Sequence, residues 1–169
     1  DLAVTQNNLG NLYRDTQRFA ESETMFKSAI DIYERLAKAN PDAFKPDLSS
    51  TQNNLGVLYL STLRFAESEA MYISALKTNP NNYLACTNLA ASLLFQGKIE
   101  EAKKIYRQYK AEYKELFLDS FAIYEQLGVI PEERKADVER IKAMLQRLSF
   151  SSVFKQFVQI FANLLIIWS

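Results

Sequence analysis

Residues 1–10, DLAVTQNNLG, return almost unchanged at residues 47–56 as DLSSTQNNLG, and residues 18–23, RFAESE, return at residues 64–69. Of the 33 positions that run from Asp1 and from Asp47, 20 are identical. A weaker third copy, Thr87-Asn88-Leu89-Ala90, lies 34 residues after the second, and its first half ends at Gly97. Self-similarity at such a period marks a repeat architecture, in which each unit buries its apolar face only against its neighbours.

Inside each copy the apolar spacing is helical. Leu9, Leu12 and Tyr13 mark one helix of the first copy, and Phe19, Met25, Phe26, Ala29 and Ile30 mark a second. The second copy repeats this with Leu55, Leu58 and Tyr59, then Phe65, Met71, Tyr72, Ala75 and Leu76. The third has Leu89 and Leu93, then Ile99, Ala102, Ile105 and Tyr106. Each copy is therefore a helix hairpin, and the small residues Gly10, Gly56 and Ala90 let its two helices approach closely. The acidic pairs Glu21/Glu23, Glu67/Glu69 and Glu100/Glu101 fall in the first turn of second helices, where carboxylates offset the helix dipole.

A Leu-Gly pair, a Tyr three residues on, an aromatic after the turn, then Ala, aromatic, Ala and the closing Pro80 resemble the tetratricopeptide repeat, over roughly residues 1 to 110. The resemblance implies an all-α fold, a right-handed superhelical solenoid of three hairpins (about 1–40, 47–79 and 83–118) followed by an extension with a C-terminal capping helix (119–148). Some positions depart from the family pattern. Its turn glycine is present only as Gly97, with Gln17 and Leu63 in its place earlier, and Ser22 and Ser68 replace the usual alanine. Tyr109 fills the last small position, which suggests that the third hairpin faces something other than a standard repeat.

The first interval is 46 residues instead of 34, through the added stretch Tyr33 to Ala39 followed by Asn40-Pro41 and Lys45-Pro46-Asp47. The second helix is expected to run longer until the two prolines end it, with Asp47 capping the next helix as Asp1 caps the first. This lengthened form, with its Asn-Asn-Leu run, resembles the kinesin-light-chain-like branch of the family.

From Glu100 helical spacing continues without a breaker to about Leu127, with a bend expected near Asp119-Ser120. Gly128 offers a left-handed C-cap and Pro131 a restart. Val138, Ile141, Leu145 and Leu148 then form the stripe of a closing helix. Residues 149–169 are apolar, with Lys155 the only charge after Arg147. Packing on this chain or on a second copy, a helix on a membrane surface, and a membrane span interrupted by Lys155, Gln156, Gln159 and Asn163 are the readings kept open, beside a non-native tail. The opening at Asp1, inside a repeat, reads as a fragment from the C-terminal end of a larger array. The compartment is left open, with a cytoplasmic setting the default expectation.

Composition bounds the chemistry. The 169 residues are 48% apolar and 24% charged, as expected for one globular domain. Twenty basic and twenty acidic residues cancel without a like-charge block, so the footprint of a nucleic-acid binder is missing. There is no histidine, and the lone Cys86 reads as a small apolar core residue. No phosphate-binding glycine loop, metal cluster or nucleophile–base pair is recognisable, so neither enzyme activity nor a cofactor is expected.

The resemblance implies instead a protein-interaction scaffold that binds a peptide or protein segment in a groove lined by the first helix of each hairpin. The inward positions map to Val4, Asn7, Asn8, Asn11 and Arg14, then Ser50, Asn53, Asn54, Val57 and Leu60, then Leu84, Thr87, Asn88, Ala91, Leu94 and Phe95. A ladder of Asn8, Asn54 and Asn88 could hold an extended backbone, since an amide both donates and accepts; the alternative is that these asparagines bridge adjacent helices. Leu60, Leu94 and Phe95 are expected to form an apolar pocket. The basic clamp by which related co-chaperones grip a C-terminal carboxylate is not matched, because Asn7, Leu84 and Asn88 stand where its Lys and Arg would be; only Asn11 and Asn54 fit. Chaperone-tail binding is therefore not expected. Self-association or membrane attachment through the apolar tail is the alternative role.

Overall fold

In the computed structural model, residues 2–147 are described. The expected Asp1 cap, the Leu148 end of the closing helix and the apolar tail lie outside them. The described residues hold seven α-helices and one short 3-10 helix, and no strand. They are α1 (Leu2–Asp15), α2 (Phe19–Ala39), α3 (Pro41–Ser61), α4 (Phe65–Thr78), α5 (Tyr83–Phe95), α6 (Ile99–Gln126) and α7 (Lys135–Gln146), with the 3-10 turn Glu132–Arg134 before α7. Consecutive helices pack side by side, which gives an all-α helical repeat solenoid. Among the described residues no helix is long and apolar enough to cross a membrane.

The helices of a hairpin are locked at the small residues. The Ser22 hydroxyl donates to the Gly10 carbonyl at 2.7 Å, and that of Ser68 to the Gly56 carbonyl at 2.9 Å. The two serines that depart from the family's alanine are fully buried, and these bonds satisfy their hydroxyls. Each turn ends in the same left-handed residue, Gln17 (φ +60°), Leu63 (φ +62°) and Gly97 (φ +80°). The amide three residues past the helix bonds back five residues in each, from Arg18 to Tyr13, Arg64 to Tyr59 and Lys98 to Leu93. Only at Gly97 is that conformation free of Cβ strain.

The lengthened step is divided between two helices. α2 ends at Ala39, but α3 already begins at Pro41, and Asn40, not Asp47, caps it by accepting from the Ala43 amide at 3.3 Å. Pro41 occupies the first helical position, where a missing N–H costs nothing. Pro46 sits one turn in, where only the carbonyl of Asp42 loses a partner, so it does not end the helix.

The expected bend in α6 is displaced as well. The backbone leaves helical geometry at Tyr113 (φ −116°, ψ 19°), not at Asp119-Ser120. Tyr106 lies 4.7 Å from Phe117 and 5.8 Å from Phe121, ring centre to ring centre. An unbroken helix would separate residues 11 apart by about 16 Å, so residues 114–126 fold back along residues 99–112. Tyr109 stacks on Tyr113 at 5.6 Å at the break itself. The folded-back segment and α7 form a fourth hairpin. Its turn carries Gly128 (φ +65°), with the Val129 amide bonded to the Tyr124 carbonyl. Val138, Ile141 and Leu145 bury the inner face of α7, and Lys110 holds its end by donating to the Met144 and Arg147 carbonyls, each at 2.6 Å.

Candidate interaction groove

The first helices, α1, α3, α5 and residues 114–126, are joined by a line of side-chain hydrogen bonds. Asn54 donates to Asn7 at 3.1 Å, Asn88 to Asn53 at 3.1 Å, and the Tyr124 hydroxyl to the Asn88 amide oxygen at 2.6 Å. The amides of Asn7, Asn53, Asn54 and Asn88 are thus engaged in bridging helices, with Asn53 buried. Asn8 is exposed and Asn11 half-buried.

The apolar pocket expected from Leu60, Leu94 and Phe95 is not open. These three, and the expected groove residue Ala91, are at most 3% exposed. The folded-back half of α6 covers them, with Phe95 meeting Tyr124 edge-to-face at 5.5 Å in one core with Phe121 and Val129, while Phe65 of α4 packs on Phe95 at 5.6 Å. These residues are core because a fourth hairpin stands where the three-repeat reading left open space.

An open cleft remains beside them. It has a volume of about 650 Å³ and is lined by Arg14, Asp15, Gln17 and Phe19 of the first hairpin, Val57 and Ser61 of α3, and Ile123, Leu127 and Val129 of the fourth. Arg14 and Val57 are the two expected groove residues that line it. Ile123 and Leu127 stand four residues apart, are more than half exposed, and form its apolar wall. Their i, i+4 apolar spacing is visible in the sequence, but the segment reads there as the end of one long helix, and neither residue is among the expected groove positions.

Two sequence models described as tetratricopeptide repeat match residues 1–81 and 83–110, together more than half of the chain. The chain belongs to the tetratricopeptide repeat family. No curated protein matches it in sequence. Tetratricopeptide repeats generally mediate protein–protein interaction and are typically non-enzymatic. The fourth hairpin lies beyond the matched residues and is recognised by its geometry.

Adjacent tetratricopeptide hairpins are also joined by ions. Glu23 of α2 accepts from Arg64 at 2.6 Å, Lys27 at 2.7 Å and the Tyr59 hydroxyl at 3.0 Å. One repeat later Glu69 accepts from Lys98 at 2.6 Å and Gln96 at 2.7 Å. Partial burial works against the charge on Glu23, but the bonds from Arg64, Lys27 and Tyr59 overcome it and hold the carboxyl at about 2. A carboxyl below its ordinary value of 4.5 stabilises the fold above that value and loses the effect as pH falls toward 2. Allowing for screening at a partly exposed site, Glu23→Gln is expected to cost about 1–2 kcal/mol at pH 7. In urea titrations the gap between variant and parent should shrink steadily from pH 5 downward; a gap independent of pH would show that Glu23 acts through packing alone.

The acidic pairs hold bases: Glu21 bonds Arg18, Glu67 bonds Arg64 and Glu100 bonds Lys103. Cys86 is buried, and burial, with Glu112 nearby, pushes its thiol up to about 11, so it stays protonated at neutral pH. Among the described residues no group of His, Cys, Asp and Glu is placed to hold a metal ion.

Proposed function

We propose that the chain is an interaction scaffold that binds a protein segment in the cleft between the first and fourth hairpins. The observation that carries the reading is the composition of that cleft. Phe19, Val57, Ile123, Leu127 and Val129 supply an apolar surface, and Arg14, Asp15, Gln17 and Ser61 a polar rim. Such a site suits one apolar anchor side chain of a partner, with its flanking backbone held by rim groups. The amide line stiffens the wall instead of reading the ligand.

The lengthened, kinesin-light-chain-like reading of the repeat is supported by helix lengths. α2 and α3 have 21 residues each, while α4 has 14 and α5 has 13. The added stretch, residues 33–46, lies outside the lining of the cleft.

Peptides selected from a random library against the chain test the cleft. Ile123 is 53% exposed, so Ile123→Glu should leave thermal stability nearly unchanged. It should weaken the selected peptides by about tenfold or more, as burial of an unpaired charge in an apolar contact does. Equal affinity for parent and variant would move the binding surface elsewhere. Truncating Leu94 is the wrong probe, because that side chain is fully buried and its loss would unsettle the core.

A further inference from the structure

The junction between the third and fourth hairpins is built unlike the other two. The α2–α3 and α4–α5 junctions carry Asn40-Pro41 and Asn79-Pro80, with the backbone extended at the asparagine (φ −142°, ψ 86° and φ −140°, ψ 100°). A proline there obstructs continuation of the preceding helix. Asn40 and Asn82 then cap the helices that follow, accepting from the Ala43 and Ala85 amides at 3.3 Å and 3.0 Å.

At the third junction Lys114 stands 34 residues after Pro80, in the place of that proline, and no asparagine or proline lies between Lys98 and Leu127. One residue, Tyr113, leaves helical geometry (φ −116°, ψ 19°). Turning its two torsions by about 50–60° each would make α6 one unbroken helix. Tyr113 also stands near the midpoint of the 28 residues of α6. The halves on either side run antiparallel, with Tyr106 of the first against Phe117 and Phe121 of the second.

We propose that α6 straightens at Tyr113 and that two copies of the chain exchange their fourth hairpins, with their α6 helices side by side and antiparallel about a two-fold axis at Tyr113. Residues 114–126 of each copy then lie along residues 99–112 of the other. Tyr106 regains Phe117 and Phe121, Asn88 regains Tyr124, and Lys110 regains the Met144 and Arg147 carbonyls, now across copies. Because the exchange returns the same contacts, the single chain and the dimer differ in the hinge and in the entropy of association, and concentration shifts the balance. Each cleft in the dimer takes its Ile123 and Leu127 from the other copy. The inference stands whether or not that cleft binds a partner.

Refolding from urea at high protein concentration, then dilution and sedimentation velocity, should give a monomer and a dimer that interconvert slowly, since exchange requires the fourth hairpin to leave its seat. Tyr113→Ala and Tyr113→Gly delete the same ring, but alanine favours the straight helix over glycine. With two hinges in each dimer, the dimerisation constant of the alanine variant should exceed that of the glycine variant by about tenfold, roughly threefold from each hinge. Spin labels on Glu101→Cys and Gln126→Cys, both at exposed positions, read the hinge itself when the labelled chain is diluted with unlabelled chain; Cys86 is buried and does not compete for label. In the monomer the labels should lie within about 20 Å, the width of two packed helices, and in the dimer about 37 Å apart, the rise along a straight helix. Absence of a dimer after refolding at high concentration, equal dimerisation of the alanine and glycine variants, or a dimer that keeps the short distance would overturn the proposal. In the last case the copies associate through another surface.

Discussion

Phe121→Ala is expected to lower stability by about 3–5 kcal/mol, the cost of deleting a fully buried aromatic side chain and leaving its cavity. Phe121 is 1% exposed and packs on Tyr106 beside Phe117, where residues 114–126 return along the first part of α6. In an array each hairpin is stabilised by its neighbours, and among the described residues the fourth hairpin has preceding hairpins to pack on but no following one. The loss should therefore be local. Hydrogen exchange should show protection falling first in residues 114–146 and last in α3 and α4, with a broadened urea transition. Peptide binding in the cleft should weaken with it, since Ile123 and Leu127 form one wall. A uniform loss of protection along the chain would contradict a separately anchored fourth hairpin.

How far the fold could be read from the residues depended on where its causes are local. The hairpins at 1–40 and 47–79 follow from apolar spacing and from Gly10 and Gly56, which act within one repeat. The break at Tyr113 has no such mark. No glycine or proline stands between Lys98 and Leu127, and the helical stripe runs straight through. What breaks the helix is tertiary: Tyr109 stacking on Tyr113, and Phe117 and Phe121 finding Tyr106. Tyr109 was the one legible sign, as a large ring in a small-residue position.

The same contacts decide the site. Leu60, Leu94 and Phe95 occupy groove positions in the repeat, yet they are core because the fourth hairpin lies over them. Arg14 and Val57 stay at the cleft because they belong to earlier hairpins that it leaves open. The asparagines illustrate a second limit. Their recurrence was plain in the sequence, but recurrence fits a ligand ladder and a helix bridge equally, and only the 3.1 Å amide contacts distinguish the two.

Gly56→Ala is expected to lower stability by about 2 kcal/mol, although alanine is the better helix former by roughly 1 kcal/mol. A Cβ at Gly56 would stand 2.5 Å from Tyr72 Cε1 and 2.8 Å from Cδ1. Tyr72 is fully buried between α3 and the third hairpin, so its ring has no space into which to retreat. The helices must part instead, and parting them stretches the Ser68 hydroxyl from the Gly56 carbonyl. Gly10→Ala meets Phe26 at 2.7 Å in the corresponding place. There α1 has the solvent-exposed Leu2 and Leu12 face behind it and can shift outward, so the loss should be smaller. Thermal or urea unfolding of the two variants gives the comparison. Gly56→Ala equal to or milder than Gly10→Ala would mean that burial on both sides does not hold the central hairpin rigid. If the order is as expected, α3 is the fixed element of the array, and it fixes where Val57 and Ser61 stand in the cleft.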